Sequence, residues 1–416
     1  MNAGLALHGD YAYIGNRTDG SKDHPHPGVL IVDVADPASP RAVGEIEQPH
    51  QQRESTSSRE LRVWHAESLL FVLNIPCTPS LHRCARGAAP ATVEIYDIEG
   101  SAARVPTPVA TYRPSRTPHE FFLWTDAKDR GRALLYLSTP GGRDAELVVA
   151  DVSRARSGIV REIATWREAF PERGGNDTLH SLSVSPDGTR AYLAHLTAGF
   201  LVIDTSQIAS RRPSPAIVTV TAISTRPRWP GRGAHSAVKV PGRPLIVTTD
   251  EAYGSEEPGG GCPFGWMRVL DIADEIRPRV ASEAKVAPYN NAGSCDEVPR
   301  EHNRNASFST HNPTVTANLA LVSWHGAGLQ AVSIADPAKP ARLAEFLPAP
   351  LSSVTTEDPA LTAGAVKVAM WSYPIIKDGL IYVVDVRNGL FVLRFEGRHG
   401  DEVAAITFAE GNTNGG

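Results

Sequence analysis

Four histidines occupy the same position in four successive segments of similar sequence, and they carry the clearest chemical signal in the chain. Aligned on the hairpin turn that follows each of them, the segments are HEFFLWTDA, HSLSVSPDG, HSAVKVPGR and HNPTVTANL, which begin at His119, His180, His235 and His311. Neutral imidazoles bind iron, copper, zinc and nickel well, whereas magnesium and calcium prefer oxygen ligands. The pattern therefore predicts a transition-metal site, with iron(II) or copper as the leading cofactor and zinc as the alternative.

A structural role is the competing interpretation of these histidines, because a histidine can cap one repeat by a hydrogen bond to the next. A requirement of the fold would place histidine in every corresponding segment. Three such segments begin instead at Asn2, Arg59 and Trp371, while the four histidines remain contiguous. We therefore favour metal binding, with the three exceptions leaving one side of the site open to a substrate.

The elements that position these residues follow from a repeat along the whole chain. Short β-prone runs recur seven times, as GVLIVDV, ATVEIYDI, AELVVADV, GFLVIDT, MRVLDI, GLQAVSI and GLFVLRF. Each run follows two more strand-like segments, which are closed by turns such as SPDG or KDG, and precedes a polar turn and another β-prone run. Each unit therefore predicts a four-stranded antiparallel meander, with strands A to D in chain order.

Seven such meanders around an axis predict a single all-β domain, a seven-bladed β-propeller spanning residues 1–416. The predicted blades are residues 1–55, 56–114, 115–175, 176–230, 231–306, 307–366 and 367–416. We expect the last blade to take its strand D from VAAITF near the end of the chain. Strand A is innermost in a propeller blade, so equivalent residues at its start converge on the axis.

The segments PGVLIVDVADPASPRAVGEI and GLQAVSIADPAKPARLAEF resemble the LVIVD-repeat family of bacterial seven-bladed propellers. This resemblance implies the fold and says little about chemistry. By analogy alone, the four-histidine arrangement resembles carotenoid cleavage oxygenases, which hold iron(II) on a propeller axis with four histidines. It also resembles the selenium-binding protein or methanethiol oxidase family, a propeller with a copper-linked, histidine-rich centre. Both analogies imply open coordination positions for dioxygen or substrate.

The loops between strands B and C lie on the same face as the histidines. They supply our candidate catalytic residues, which are His195, His325, Asp250, Glu251 and Arg387. For His195 and His325 the alternatives are a fifth ligand, an acid–base group, or a residue that packs beside a glycine turn. Glu60 and Glu120 directly follow ring positions, where they either accept the second N–H of a ligand histidine or form surface salt bridges. We place Trp371 with these two residues, next to the ligands.

Long insertions gather on this face and indicate a binding face. They span residues 17–27, 74–90, 251–265, 286–310 and 349–370. Two cysteine pairs lie within or beside them, namely Cys77 with Cys84 and Cys262 with Cys295. We favour two disulfides over free thiols, and therefore a secreted or periplasmic location over the cytoplasm, because disulfides persist in oxidising compartments.

The charge balance and the lack of a long apolar stretch limit the partners that we expect. The chain carries 41 Lys and Arg against 46 Asp and Glu, for a formal net charge of −5, so we expect no nucleic-acid partner. No stretch approaches the ~20 apolar residues of a membrane helix, so we expect no membrane span.

The leading hypothesis is a metal-dependent oxidoreductase or oxygenase that acts on a small organic substrate. The alternatives are a non-catalytic propeller that binds a protein or a glycan, and a metal-dependent lyase or hydrolase that uses zinc-bound water.

Overall fold

Strands dominate the structure, and most of them follow one another in short hairpins. The computed structural model describes residues 1–17, 28–46, 56–76, 90–140, 145–168, 170, 178–196, 198–227, 234–251, 265–286 and 307–415. Two short α-helices occur in these ranges, α1 at Ser206–Ala209 and α2 at Gly400–Ala404. Of the helices in the described ranges, none is long and apolar enough to cross a membrane.

The first eight strands form one hydrogen-bonded sheet. They are β1 Asn2–His8, β2 Tyr11–Asn16, β3 Val29–Asp33, β4 Arg41–Ile46, β5 Thr56–Trp64, β6 Leu69–Pro76, β7 Thr92–Asp97 and β8 Thr107–Tyr112. The strand order β4-β3-β2-β5-β6-β7-β8, with β1 beside β2, consists of two four-stranded meanders. One pair, Asn16 with Ser58, joins β2 to β5. The first two predicted blades are therefore linked through their backbones.

The remaining strands form five separate four-stranded sheets. The first contains β9 Glu120–Thr125, β10 Ala133–Ser138, β11 Leu147–Arg154 and β12 Ile159–Trp166. The second contains β13 Leu179–Val184, β14 Arg190–His195, β15 Gly199–Asp204 and β16 Val218–Thr219. The third contains β17 Ser236–Lys239, β18 Leu245–Thr249, β19 Met267–Asp271 and β20 Arg279–Ala284. The fourth contains β21 Pro313–Val315, β22 Leu319–Trp324, β23 Gly328–Ser333 and β24 Ala341–Phe346. The fifth contains β25 Ile375–Lys377, β26 Leu380–Asp385, β27 Gly389–Arg394 and β28 Phe408–Ala409.

Neighbouring sheets pack face to face, which explains why their central strands are apolar on both sides. Every residue of β10, ALLYLS, is buried. Leu135 belongs to the same apolar cluster as Phe71 and Ile95 of the preceding meander, whereas Leu134 belongs to a cluster with Leu182 of the following sheet. A strand that is buried on both faces reads as a continuous apolar run instead of alternating. The recurring run of the same sheet, LVVA in β11, is likewise buried at four successive residues.

The first strands of the sheets lie innermost and form a ring. Consecutive first strands contact each other from β1 through β5, β9, β13 and β17 to β21, and β25 contacts β1. The backbone N–H of Asn2 donates to the carbonyl oxygen of Val386 at 2.8 Å, which joins the first unit to the last. The prediction of an all-β propeller is therefore confirmed.

The end of the chain differs from the expected strand D. Residues Gly400–Ala404 form helix α2, and β28 pairs with the innermost strand β25 instead of β27. The expectation that VAAITF forms the outer strand of the last blade is therefore wrong. Asp401 and Glu402 in the first turn favour the helix, because carboxylates stabilise a helix N terminus.

Residues 410–415, here called the axial segment, continue from β28 into the centre of the ring. Thr413 forms a parallel bridge with Leu123 of β9, and the carbonyl oxygen of Asn412 accepts a hydrogen bond from Arg62 Nε of β5 at 3.2 Å. The side chain of Asn414 accepts a hydrogen bond from the backbone N–H of Thr125 at 2.8 Å. Innermost strands of different sheets therefore hold the axial segment, which runs along β9 away from its histidine end.

Candidate metal centre

The four predicted histidines lie at the starts of innermost strands in four consecutive sheets. His180 lies within β13, and the other three directly precede their strands or lie within two residues of them. The backbone N–H groups of His119, His235 and His311 each donate to a carbonyl oxygen at the end of the paired strand, at 2.7–2.8 Å. This shared register brings the imidazoles together. Ring centroids are 4.4 Å apart for His119 and His180, 3.8 Å for His180 and His235, and 4.6 Å for His235 and His311.

Glu251 and His325 join this cluster from the loops that follow strands B. The Glu251 carboxylate lies 3.3 Å from His235 Nε2, 3.5 Å from His311 Nε2 and 3.3 Å from His325 Nε2. Two sets of three ligand atoms, each lying within 4.8 Å of one another, share Glu251. One set adds His180 and His235, and the other adds His311 and His325. Each set therefore offers two imidazoles and one carboxylate, all of them buried.

One hydrogen bond on the far side of the cluster fixes which nitrogen of His311 faces Glu251. His311 Nδ1 lies 2.6 Å from the carbonyl oxygen of Trp371, which can only accept, so Nδ1 carries the proton and donates. In the neutral ring Nε2 then presents its lone pair to the Glu251 carboxylate, whose oxygens also carry lone pairs. Two acceptors that face each other across 3.5 Å fit a cation bound between them.

Burial and electrostatic interactions shift the pKa values of four residues in the cluster. Burial lowers the pKa of His119, His180 and His311 well below the usual 6.5. Burial on its own raises the pKa of Glu251, but electrostatic interaction with His235 and His311 outweighs it and holds that pKa well below the usual 4.5. Neutral imidazole and ionised carboxylate are the forms in which these side chains ligate metal ions.

Several polar atoms of the cluster lack a hydrogen bond within the described part of the chain. They are His180 Nδ1, His235 Nε2 and Glu251 Oε1. Buried polar atoms are normally paired, and leaving one unpaired costs roughly 1–3 kcal/mol. A coordinated metal ion satisfies such atoms directly, so the residues present fit the predicted cofactor.

Trp371 and Arg59 close the ring between His311 and His119. The indole of Trp371 packs on the His311 ring with centroids 4.0 Å apart. The Arg59 guanidinium carbon lies 5.4 Å from the indole centroid, and after burial its charge is the next cause of the low pKa of His119. Asn2 turns away, since its side-chain amide donates to backbone carbonyl groups of the last sheet at 3.2 and 3.3 Å. The side of the ring that we expected to be open is therefore lined by an indole and a guanidinium group.

Glu120 lies directly beside the histidines on the axial side. Its Oε2 is 3.7 Å from His180 Nδ1, while its Oε1 accepts hydrogen bonds from Tyr373 at 2.8 Å and Asn412 at 2.6 Å. Burial, together with the nearby charge of Glu60, raises the pKa of Glu120 to about 7. The carboxyl group is thus positioned next to a predicted ligand, at a distance longer than a hydrogen bond.

Glu60 has a different partner from the one we expected. Its carboxylate contacts Arg62 at 3.1 Å, and the same guanidinium lies 3.2 Å from Glu410 of the axial segment. The sequence interpretation missed Arg62, Tyr373 and Asn412. Arg62 places a charged side chain at a position of an inner strand that is buried. A charged residue at a core position is the sequence signal that could have revealed this polar network.

Three predicted catalytic residues make their contacts outside the two ligand sets. Their partners are Glu146 at 3.2 Å for His195, Arg268 for Asp250 and Glu357 at 2.9 Å for Arg387. His195 Nδ1 also accepts the backbone N–H of Ala198 at 3.0 Å, so this histidine holds the turn between β14 and β15. Of the five candidates, Glu251 and His325 are the two that the structure brings to the axis.

The cysteines and much of the insertions lie outside the described residues. This holds for Cys77, Cys84, Cys262 and Cys295. The two disulfides, and the secreted or periplasmic location inferred from them, therefore stay predictions.

Comparison with known sequences supports the repeat. The family model of the LVIVD repeat matches residues 2–47, which form the first unit of the chain. The match spans about one repeat unit. It therefore identifies the type of repeat and says nothing about an activity. None of the curated proteins searched matches the chain.

Comparison with solved structures supports the fold. The periplasmic gluconolactonase PpgL of Pseudomonas aeruginosa is similar over 92% of this chain and 94% of its own, with a TM-score of 0.55 and 14% identity. The β-propeller domain of Cps50 (Swd1) from Myceliophteria thermophila is similar over 94% and 95%, with a TM-score of 0.51 and 9% identity. Sqt1 of Chaetomium thermophilum, bound to the N-terminus of ribosomal protein L10, is similar over 96% and 89%, with a TM-score of 0.52 and 12% identity. At these identities the likeness shows the propeller fold alone.

Proposed function

We propose that the chain is a metal-dependent oxidoreductase that acts on a small organic substrate at the axial histidine cluster. The observation that carries this proposal is the shared position of Glu251, whose carboxylate faces Nε2 atoms of His235, His311 and His325 at 3.3–3.5 Å. Two histidines and one carboxylate with open positions are the donor set of non-haem iron oxygenases. The predicted four-histidine site is thereby revised to one that includes a carboxylate.

The ligands in this proposal are Glu251 with His180 and His235, or Glu251 with His311 and His325. His119 belongs to neither set, and its ring packs on His180, so it lines the site beside the ligands. When bound, iron or copper would supply Lewis acidity and electron transfer to dioxygen or substrate. The choice between iron and copper stays a prediction.

The surrounding residues orient the ligands and hold a proton. The carbonyl oxygen of Trp371 fixes the ring of His311, as a neighbouring acceptor commonly does for a ligand histidine. Glu120 accepts two hydrogen bonds at Oε1, which leaves Oε2 as the atom that carries its proton, 3.7 Å from His180. With a pKa of about 7, Glu120 exchanges that proton near neutral pH.

A hydrolase or lyase is the second candidate, because two histidines and one glutamate are also the ligands of catalytic zinc in several hydrolases. Zinc lowers the pKa of bound water and needs no redox step. The non-catalytic alternative, binding of a protein or glycan by the insertion-rich face, has no contact in the described residues in its favour.

We also interpret the eight-stranded sheet as two blades, which would give seven blades with the predicted boundaries. The two meanders share a single residue pair, Asn16 with Ser58, whereas strands within each meander pair over several residues. A small-molecule partner follows from the enzyme proposal.

Elemental analysis tests the proposed function. Protein purified without chelators, then reconstituted separately with Fe(II), Cu(II) and Zn(II), is expected to hold about one ion per chain. Glu251→Gln should lower the affinity at least about tenfold, because Glu251 belongs to both ligand sets. His235→Ala should do the same if the first set holds the ion, and His311→Ala if the second set does. His8→Ala is the matched control, since His8 lies at the opposite end of β1 from the cluster and should leave metal content unchanged.

Retention of iron or copper, with dioxygen consumption on reduction, would support the oxidoreductase over the hydrolase. Retention of zinc alone would favour the second candidate. Full metal content in both Glu251→Gln and His235→Ala would refute the metal centre.

A further inference from the structure

Arg59 is a buried arginine whose charge has no partner within the described part of the chain. Its side chain closes the ring at the axis, and the residue is 7% exposed. Its described neighbour is the indole of Trp371, whose centroid lies 5.4 Å from the guanidinium carbon. A cation over an aromatic ring gains some energy, but less than a charge-assisted bidentate pair with a carboxylate supplies.

The other buried arginines show what this chain normally does with such a charge. Arg17 pairs with Asp358 at 2.6 Å, Arg62 with Glu60 at 3.1 Å, Arg268 with Asp250, and Arg387 with Glu357 at 2.9 Å. Arg132 pairs with Asp126 at 3.2 Å. Arg226 donates instead to the backbone carbonyl groups of Ala198 and Ile223 at 3.0 and 2.7 Å. Arg59 therefore differs from every other buried arginine among the described residues.

We propose that Arg59 binds a carboxylate group of the substrate and so holds the substrate beside the metal centre. The planar guanidinium group offers two parallel N–H donors that match the two oxygens of a carboxylate. This inference rests on the proposed function, because it places the anion next to the ligands. It adds the chemical class of the substrate, an organic carboxylate, which the ligand set leaves open.

The position of Arg59 supports this assignment. Arg59 begins the strand-A segment directly before the one that begins at His119, and Trp371 lies on its other side. A carboxylate bound at Arg59 would therefore leave the organic part of the molecule within reach of the histidines. The guanidinium carbon of Arg17 lies 4.3 Å from the same indole, but Arg17 already pairs with Asp358 at 2.6 Å. The guanidinium group of Arg59 therefore suits one carboxylate, whereas a phosphate is usually held by several donors or a helix N terminus.

Binding of benzoate to the full chain tests the proposal, with benzamide as the neutral probe of equal shape. Titration calorimetry is carried out on metal-free and on reconstituted protein, after the metal content of each sample has been measured. Arg59→Gln is expected to weaken benzoate binding roughly 10- to 100-fold, which is the loss of a charge-assisted bidentate pair. Arg59→Lys should give a smaller loss, because lysine keeps the charge without the planar pair of donors. Arg342→Gln is the control, since Arg342 is 51% exposed and pairs with Glu345 on the surface.

Equal affinity for benzoate in wild type and Arg59→Gln would overturn the proposal, and so would the absence of benzoate binding to the wild-type chain. Inorganic phosphate that binds as tightly as benzoate with the same dependence on Arg59 would overturn the carboxylate class. If Arg59→Gln unfolds, the change in benzoate affinity of Arg59→Lys serves as the test, and an affinity equal to that of the wild type would overturn the proposal. Metal content is read separately. A wild-type chain that takes up no metal on reconstitution but binds benzoate in an Arg59-dependent way would refute the metal centre, while Arg59 would remain a carboxylate-binding residue.

Discussion

Adjacent side chains on one strand end meet opposite surroundings in this protein. Asp250 points to Arg268, and burial raises its pKa to about 6, whereas Glu251 points to the histidines and its pKa is held low. Successive side chains of an extended strand alternate between faces, so two neighbouring carboxylates receive different roles. The face of the strand to which a carboxyl group points therefore decides its role here, and the residue type does not.

His65 provides a test of burial at the residue scale, away from the metal centre. Burial lowers its pKa from 6.5 to about 4, with further lowering by His8 and Lys377. The folded pKa lies below the unfolded one, so the unfolded chain takes up the proton first as the pH falls below 6.5. Stability due to the neutral ring is present above pH 6.5 and is lost as the pH falls towards 4.

We therefore expect His65→Phe to flatten the pH dependence of unfolding. Each pH unit below 6.5 costs the wild type up to ~1.4 kcal/mol from this one group, or about 2 kcal/mol between pH 6.5 and 5. Urea unfolding of both proteins at several pH values measures the difference. Parallel curves for the two proteins would show that His65 is not buried as described.

The axial segment is the element whose role is easiest to test. Asn412 donates from its side chain to Glu120 Oε1 at 2.6 Å, and both residues are buried. Asn412→Ala leaves that carboxylate one donor short, so we expect a loss of about 1–3 kcal/mol in the free energy of unfolding. Asn414→Ala is the matched control, because Asn414 is only half-buried and should cost less.

The same urea titration on a chain that ends at Ala409 extends this test from one side chain to the whole element. We expect a larger loss than for Asn412→Ala, because the truncation also removes the backbone contacts to β5 and β9. A truncated chain as stable as the wild type would contradict the view that residues 410–415 form part of the core.

At the scale of the whole molecule, the repeat and the propeller could be predicted because they depend on local pattern. Consecutive apolar residues such as those of AELVVADV reflect burial between two sheets, and the turn residues mark the hairpins. The convergence of the four histidines followed from their equal positions in an innermost strand. The LVIVD match to residues 2–47 and the similar solved propellers agree with that interpretation.

Other features depend on long-range contacts that a repeat does not encode. The axial segment has no counterpart in the other units, so nothing in its sequence indicated that it would reach β5 and β9. Glu251 and His325 were two of several candidates in equivalent loops, and only the packing of the sheets separated them from His195 and Arg387. The contact of Arg59 with Trp371 likewise depends on closure of the first unit against the last.

Crystallography of reconstituted protein, with anomalous data at the absorption edge of the metal, tests the central claim most directly. We predict one anomalous peak next to Glu251 and at least two imidazoles of His180, His235, His311 and His325, at about 2.0–2.2 Å from the ligand atoms. A peak elsewhere, or no peak at Glu251 while its oxygens and the facing Nε2 atoms bind only protein groups or water, would contradict the proposed metal centre.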